Sequence, residues 1–247
     1  GLGDVYKRQV YEACGAKLAE GGYVWRMRHA RQGTLTSQHT SVAHVHAQPC
    51  TSMDRGSAWG SRRIATVPTT ILLIRHGQTP TTGIVLPGRA PGLHLSEAGH
   101  KQAQAVADTV EHVDAIYTSP LERTQETAAP LAHKFALEPL LDDALVEADF
   151  GSWSGEKLAD LAKLPEWQIV QKSPSEFRFP GGESFAEMQA RIVSGLTRIA
   201  ATHPNQTVAC FSHADPIKAA LTHFAGKPLD EFQQAKAEPG SVATLEL

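Results

Sequence analysis

The sequence predicts an α/β fold of three layers, in which a mainly parallel sheet is flanked by helices. Three short apolar runs predict buried strands, and each is followed by a stretch with a helical pattern. Alternating strands and helices favour a parallel sheet, because two parallel strands must be joined by a crossover connection. Ligands bind beyond the carboxyl ends of such strands, so we expect the chemistry at that edge of the sheet.

The composition excludes several classes of protein. The chain has 247 residues, of which 41% are hydrophobic, and a formal net charge of −3. Its uninterrupted apolar runs, such as Ile71–Ile74, are far shorter than the roughly 18 residues that a membrane-spanning helix needs. The near-neutral charge does not indicate nucleic-acid binding, and three cysteines without a CxxC pair argue against a disulfide framework or a zinc site. We therefore expect a cytoplasmic protein with no nucleic-acid or membrane partner; the sequence specifies no oligomeric state.

The charge changes sign along the chain. Residues 1–66 contain nine Lys+Arg and four Asp+Glu, a net of +5, whereas residues 67–247 contain 14 and 22, a net of −8. The two values sum to the total of −3. Such a shift in composition is typical of a domain boundary, so we expect one domain over residues 67–247.

Residues 1–66 show no sustained apolar period, although residues 12–22 could form a short helix. The stretch at residues 4–9 resembles the in-frame translation of a sequencing adapter, so this segment is expected to be a disordered leader or a translated artefact. A basic interaction arm is the alternative. His39, His44 and His46 are candidate metal ligands, but no carboxylate or cysteine accompanies them at a recognised spacing, so no metal is expected.

Within residues 67–247, each element follows from local pattern. The β-branched run at residues 69–74 predicts the first strand, and Ser96 is a candidate N-cap for a helix to about residue 110. The run at residues 114–118 predicts a second strand, and Ser119-Pro120 is expected to begin a helix through about residue 133.

The remaining elements follow in the same way, with a helical apolar face over residues 183–202 at spacings of three and four. The predicted elements are an extended piece at 140–147, a Gly/Trp-rich loop at 150–155, a helix at 156–164, a proline-containing loop at 165–182, a helix at 183–202, a third buried strand at 207–211, a helix at 215–224 and a final strand at 241–247.

Two arginines and two histidines are expected to meet at the strand ends. The first strand ends in Arg75-His76-Gly77, Arg123 begins the helix after the second strand, and His213 follows the third. Gly77 is expected to allow a turn in backbone angles that other residues resist. Helix N-termini attract anions, and the planar guanidinium group suits phosphate oxygens. The set therefore predicts a phosphate-binding pocket.

These residues lie in motifs that resemble the histidine phosphatase, or phosphoglycerate mutase-like, superfamily. Residues 75–79 resemble its RHG signature, residues 119–128 its second block, residues 147–155 the block with the acid–base carboxylate, and residues 212–215 the final histidine block. Residues 179–184 resemble a loop of many small phosphatase members. The similarity runs in order from about residue 70 to the end of the chain.

The resemblance implies a metal-independent phosphatase without a cofactor that acts on a small phosphorylated metabolite. His76 would be the nucleophile and form a phosphohistidine, and Glu147 would be the general acid and base. His213 would be catalytic and, with Arg75 and Arg123, bind the phosphate. Asp149 and Asp215 are the alternatives: Asp149 is the rival of Glu147, and Asp215 caps a helix or acts in the site.

Four further residues are candidate substrate contacts by the same resemblance. They are Gln78, Thr82 at a position where many relatives have Asn, Arg89 in a loop, and Ala214 where many have Gly. A phosphomutase using the same phosphohistidine is the alternative function, and a non-catalytic phospho-ligand binder is a third. The short domain favours hydrolysis, because a mutase usually needs extra loops to exclude water from its site.

Overall fold

The computed structural model describes residues 26–27 and 68–247, and within them six strands and six α-helices. The strands are β1 Arg26–Met27, β2 Thr70–Arg75, β3 Ala115–Thr118, β4 Leu140–Leu141, β5 Thr207–Ser212 and β6 Val242–Glu246. The α-helices are α1 Glu97–Thr109, α2 Glu122–Phe135, α3 Leu158–Leu161, α4 Pro165–Lys172, α5 Phe185–Thr202 and α6 Ala214–Phe224. Short 3₁₀ turns lie at Asp143–Leu145, Gly151–Trp153, Pro174–Glu176 and Leu229–Gln234.

The strands form one sheet in the order β1-β6-β2-β5-β3-β4. The pairs β2–β5, β5–β3 and β3–β4 are parallel, as is β1–β6, whereas β6 runs antiparallel to β2. The predicted mainly parallel sheet is therefore confirmed.

The alternation of side chains along the strands divides the core into two layers. On one face, Ile71, Leu73 and Cys210 pack against apolar residues of α5 and α6 such as Leu196 and Ile217. On the other face, Ile74, Ala209 and Phe211 pack against α1 and α2. Because both faces of the central strands are covered, the middles of β2 and β5, residues 71–74 and 208–211, are apolar without a break, as a buried parallel strand requires.

A third core of aromatic side chains lies among the loops. Phe150 and Phe179 have ring centroids 4.9 Å apart, and the centroids of Trp153 and Phe177 lie 5.3 Å apart. All four rings are buried, together with Phe185 at the start of α5. Edge-on and tilted contacts of this kind stabilise aromatic pairs beyond the burial of their area. They tie the segment after residue 147 to the segment before α5.

Several predicted elements differ in detail. The expected N-cap Ser96 accepts from the backbone N–H of Gly99, but α2 begins at Glu122, with Leu121 rather than Ser119-Pro120 at its start. The expected single helix at 156–164 is the short α3, and the expected loop at 165–182 contains α4. Pro165 occupies the first position of α4, where a missing N–H costs nothing, so the proline starts a helix there.

Apart from Arg26–Met27, the predicted leader lies outside the described residues. The possible helix at 12–22 and the three histidines at 39, 44 and 46 are in that part. Arg26–Met27, where the sequence analysis assigned no strand, forms β1 beside β6. Among the residues that the structure describes, no helix combines the length and apolar character needed to cross a bilayer.

Candidate active site

The carboxyl ends of β2, β5 and β3 lie side by side at one edge of the sheet. Arg75 is in register with Ser212, and Thr118 is in register with Phe211. The residues that follow these three strands therefore meet, as the sequence analysis expected. The backbone N–H of His76 donates to the carbonyl of Ser212 at 3.0 Å, which ties the first motif to the last.

His76 is buried and presents one particular nitrogen to the pocket. Its Nδ1 lies 2.7 Å from the carbonyl oxygen of Gly77. A carbonyl only accepts, so Nδ1 carries the proton and Nε2 carries the lone pair. Burial lowers the pKa of His76 to about 3, and the Arg75 and Arg123 guanidinium groups act in the same direction. The imidazole is therefore neutral and nucleophilic over the physiological range.

Gly77 is required by a close approach rather than by a turn. It does not have a positive φ, which corrects the sequence-based expectation. A Cβ atom on Gly77 would lie 2.5 Å from the carbonyl oxygen of Gly99, in the first turn of α1. The N–H of Gly77 donates to Thr127 Oγ1 at 3.0 Å, so the RHG segment is held between α1 and α2.

Arg123 is fully buried with two of its nitrogens directed at no protein acceptor. Nη2 donates to the carbonyl of Gly88 at 2.8 Å. Nε and Nη1 have no hydrogen-bond partner among the described residues. Arg75 places Nη1 2.7 Å from the carbonyl of Ala237. Buried donors in native proteins are nearly always paired, so the orphaned donors of Arg123 indicate an anionic ligand.

His213 follows β5, and its imidazole ring has one hydrogen-bond partner within the described part of the chain. Its Nε2 lies 2.9 Å from Ser119 Oγ, whereas its buried Nδ1 has no partner there. The ring centroid is 5.2 Å from that of His76. Burial, followed by Arg123, His76 and Arg75, holds the pKa of His213 well below its usual range. A phosphate dianion in contact with Nδ1 would act in the opposite direction.

Glu147 is buried on the irregular segment between a 3₁₀ turn and the Gly/Trp-rich loop. Its Oε1 accepts from the N–H of Ala148 at 2.9 Å, and Oε2 lies 4.0 Å from His213 Nδ1. Burial raises the pKa of Glu147 to about 7, and the Asp215 carboxylate adds to the shift. Asp149, the rival carboxylate, accepts from the N–H of Gly151 at 3.0 Å and is therefore engaged in a turn.

The candidate substrate contacts Gln78, Thr82 and Ala214 differ in their surroundings. Gln78 is exposed, and its backbone N–H donates to Gln102 Oε1 at 2.8 Å. Thr82 Oγ1 accepts from the N–H of Thr79 at 2.9 Å, so this side chain closes a local turn. Ala214 is the first residue of α6, directly after His213.

Arg89, the fourth candidate substrate contact, binds Glu147 and Glu183 instead. Its Nε donates to the carbonyl of Glu147 at 2.8 Å, and Nη2 lies 3.1 Å from Glu183 Oε1. Arg191 also contacts Glu183, with Nη2 2.7 Å from the same oxygen. No sequence pattern assigns an individual role to Arg191, Glu183 or Ser119. Ser119 and Glu183 lie inside the motifs at residues 119–128 and 179–184, whereas Arg191 carries no sequence signal.

Three comparisons with known proteins bear on this site. The family model for the histidine phosphatase superfamily (branch 1) matches residues 71–247. The chain is 34% identical over 184 residues to phosphoserine phosphatase 1 of Hydrogenobacter thermophilus, which covers 72% of this chain and 86% of that protein.

Two solved structures share the fold. One is YhfR of Bacillus stearothermophilus, with a TM-score of 0.67 and 26% identity over 72% of this chain and 91% of that chain. The other is phosphoserine phosphatase of Entamoeba histolytica in complex with 3-phosphoglyceric acid, with a TM-score of 0.63 and 25% identity over 71% of this chain and 89% of that chain. The chain belongs to the histidine phosphatase superfamily, branch 1.

Proposed function

We propose that the protein hydrolyses phosphomonoesters of small metabolites, with His76 as the nucleophile and Glu147 as the general acid and base. Membership of the histidine phosphatase superfamily and its phosphatase relatives support hydrolysis. The observation that carries the assignment is the environment of His76. Its Nε2 is left with a lone pair by the Nδ1–Gly77 hydrogen bond, and the Arg123 guanidinium, which carries the orphaned donors, is close enough to help lower the pKa of His76.

In the first step, Nε2 of His76 attacks phosphorus in line with the leaving oxygen. A nitrogen–phosphorus bond forms and the bond from phosphorus to the leaving oxygen breaks. Glu147 gives its proton to that oxygen, so the alcohol departs neutral and Glu147 becomes a carboxylate. A pKa raised to about 7 keeps Glu147 protonated at the start of this step.

In the second step, the carboxylate of Glu147 takes a proton from water as the water oxygen attacks the phosphohistidine. An oxygen–phosphorus bond forms, the nitrogen–phosphorus bond breaks, and His76 regains its lone pair. Inorganic phosphate leaves, and Glu147 is again protonated. The net reaction consumes one ester and one water and gives one alcohol and one phosphate, so no other reactant is needed.

Arg75, Arg123 and His213 bind the three non-bridging phosphate oxygens in this proposal. Phosphoryl transfer depends mainly on positioning and on stabilising charge, which buried guanidinium donors provide without reorganisation. Gln78 and Ala214 are the remaining candidates for contacts to the rest of the substrate. A small phosphorylated substrate, the cytoplasmic location and a functional domain over residues 67–247 stay predictions.

The test is release of inorganic phosphate from an aryl phosphate by the full chain in the presence of EDTA. His76→Ala should lose activity by roughly a thousandfold or more. His100→Ala, an exposed histidine on α1, is the matched control and should keep it. Equal activity in wild type and His76→Ala would contradict the proposal. Isomerisation of a sugar acid phosphate with little free phosphate would favour a mutase instead.

A further inference from the structure

Glu147 differs from the other proposed site residues in what holds its backbone. Arg75 ends β2, His76 and His213 directly follow β2 and β5, and Arg123 lies in the first turn of α2. Regular hydrogen bonding positions those four. Glu147 instead lies between the 3₁₀ turn Asp143–Leu145 and the 3₁₀ turn Gly151–Trp153, in no helix or strand.

Side chains supply the hydrogen bonds that this irregular segment lacks. Nη1 of Arg191 donates to the carbonyls of Ala144 at 2.9 Å and Val146 at 2.8 Å. The carbonyl of Glu147 accepts from Arg89 Nε at 2.8 Å and from Arg191 Nη2 at 3.3 Å. Three carbonyls within four residues are therefore held by guanidinium groups.

Glu183 joins the two arginines and holds the same segment from its other side. Its Oε1 accepts from Arg191 Nη2 at 2.7 Å, from Arg89 Nη2 at 3.1 Å and from the backbone N–H of Asp149 at 3.1 Å. The side chains of Glu183 and Arg191 are 15% and 22% exposed, so this ion pair is partly shielded from solvent, whereas Arg89 is 36% exposed. Reduced solvent screening makes the Arg191–Glu183 pair stronger than one on the open surface.

We propose that Arg89, Glu183 and Arg191 are positioning residues that hold the backbone of Glu147, so that its carboxyl group reaches the leaving oxygen and the attacking water. The inference rests on the proposed function, because it concerns the acid–base role of Glu147. The three residues come from the loop before α1, the turn before α5 and α5 itself. The proposal also assigns Arg89 to Glu147 rather than to substrate.

A positioning role predicts an effect that depends on the leaving group. An alkyl phosphate has a poor leaving group and needs the proton of Glu147, whereas p-nitrophenyl phosphate has a good one and hardly needs it in the first step. Displacing a catalytic group by about 1 Å can cost roughly a hundredfold. Glu183→Ala should therefore lower kcat for propyl phosphate by roughly tenfold to a hundredfold, with KM within about twofold of wild type.

In the same variant, the rate of the pre-steady-state burst of nitrophenolate from p-nitrophenyl phosphate should stay within about threefold of the wild-type rate. Glu183→Gln keeps one acceptor oxygen and should lose less than Glu183→Ala. Arg89→Gln leaves the Arg191–Glu183 pair intact, so it should lower kcat for propyl phosphate selectively but by a smaller factor than Glu183→Ala. Both milder variants keep the test decisive if Glu183→Ala fails to fold.

The control is Arg198→Ala on the same helix α5. Arg198 donates to Asp142 Oδ2 at 2.6 Å, so its removal also breaks an arginine–carboxylate pair, while Asp142 Oδ1 still accepts from the N–H of Ala144 and the guanidinium donors of the Glu147 segment stay in place. Both substrates should be turned over at the wild-type rate. A control that lost alkyl phosphatase activity selectively would overturn the inference, since loss of any ion pair on α5 would then suffice.

The pH profile gives a second readout. Arg75 and Arg123 lower the pKa of Glu147, whereas burial and Asp215 raise it. Arg89 and Arg191 donate to the backbone carbonyl of Glu147 rather than to its carboxyl group, so Glu183→Gln should lower kcat/KM for propyl phosphate while the alkaline limb stays within about one pH unit of wild type. A larger displacement of the limb would show that the variant acts on the charge of Glu147 rather than on its position, and would contradict the inference.

An equal loss in kcat for propyl phosphate and in the rate of the nitrophenolate burst, a large rise in KM, or no loss would also overturn the inference. If wild type forms no phosphohistidine, the proposed function itself fails. This failure would appear in the wild-type protein, whereas a failure of the inference would appear only when the variants are compared with it.

Discussion

The Nδ1 atom of His213 lies 4.0 Å from Oε2 of Glu147, and both side chains are buried. Burial disfavours the charged form of each group: it lowers the pKa of His213 and raises that of Glu147. Near pH 6 the two side chains are therefore neutral, with the proton on the carboxyl group. This is the state required of a general acid at the start of the reaction.

The first prediction concerns the pH dependence of kcat/KM for an alkyl phosphate. His76 with a pKa of about 3 must be neutral, and Glu147 with a pKa of about 7 must be protonated. Activity should therefore be high in weak acid and fall about tenfold per pH unit above about pH 7. The profile is to be corrected for ionisation of the substrate phosphate near pH 6. Activity that rises from pH 6 to pH 9 would contradict the assignment.

The second prediction concerns stability. The pKa of Glu147 is about 7 in the folded protein against an ordinary value of 4.5, so the folded state binds more protons between these values. Stability contributed by this group therefore declines as pH rises through that window and stays low above it. Glu147→Gln should raise the free energy of unfolding by about 1–3 kcal/mol at pH 8 and have little effect at pH 4.5.

Urea unfolding at the two pH values measures this difference. Glu187→Gln is the control, because the exposed Glu187 is paired with Arg178, which lowers its pKa to about 2. That substitution should give no stabilisation at pH 8. Equal effects of Glu147→Gln at both pH values would show that its carboxyl group has an ordinary pKa.

The third prediction concerns Ser119, which lies 2.9 Å from His213 Nε2. Its hydroxyl fixes the orientation of the ring and thereby the direction of Nδ1. Ser119→Ala should lower kcat/KM by roughly tenfold, the loss expected for one buried hydrogen bond. Ser119→Thr keeps the hydroxyl and should recover most of the activity in the same steady-state assay. Activity that is unaffected in Ser119→Ala would exclude a role for this contact.

The fourth prediction tests the close approach of α1 to the RHG segment. A Cβ atom on Gly99 would lie 2.1 Å from the carbonyl oxygen of Gln78, which is backbone and cannot move aside alone. Gly99→Ala should destabilise the protein by about 1–3 kcal/mol and reduce activity, because the displaced segment carries His76. Ala105→Ser, at an exposed position of α1, should change stability by less than about 0.5 kcal/mol. Thermal unfolding of both variants decides the matter.

The sequence predicted the sheet well because its central strands carry their own signal. Residues 71–74 and 208–211 are continuous apolar runs, and each is followed by polar residues that the parallel register places side by side. The meeting of β2, β5 and β3 at one edge followed from topology alone. Helix α4 was missed because Pro165 was interpreted as part of a loop although it occupies the first helical position.

No sequence pattern predicts that Arg89 and Arg191 hold the backbone of Glu147. Arg191 lies 44 residues from Glu147 along the chain, and Arg89 lies 58 residues away on the other side. Their contacts depend on how irregular loops fold, and such loops have no apolar period to analyse. Gly77 was predicted for its backbone freedom, whereas its small size next to Gly99 is what the structure uses.

The central claim is that His76 accepts the phosphoryl group. The direct measurement is rapid quenching of the full chain with a ³²P-labelled phosphomonoester, followed by peptide mapping of protein-bound label. We expect an acid-labile, alkali-stable label on the peptide that contains His76, and none in His76→Ala. Label on another residue, or turnover of wild type with no bound label at any quench time, would contradict the account.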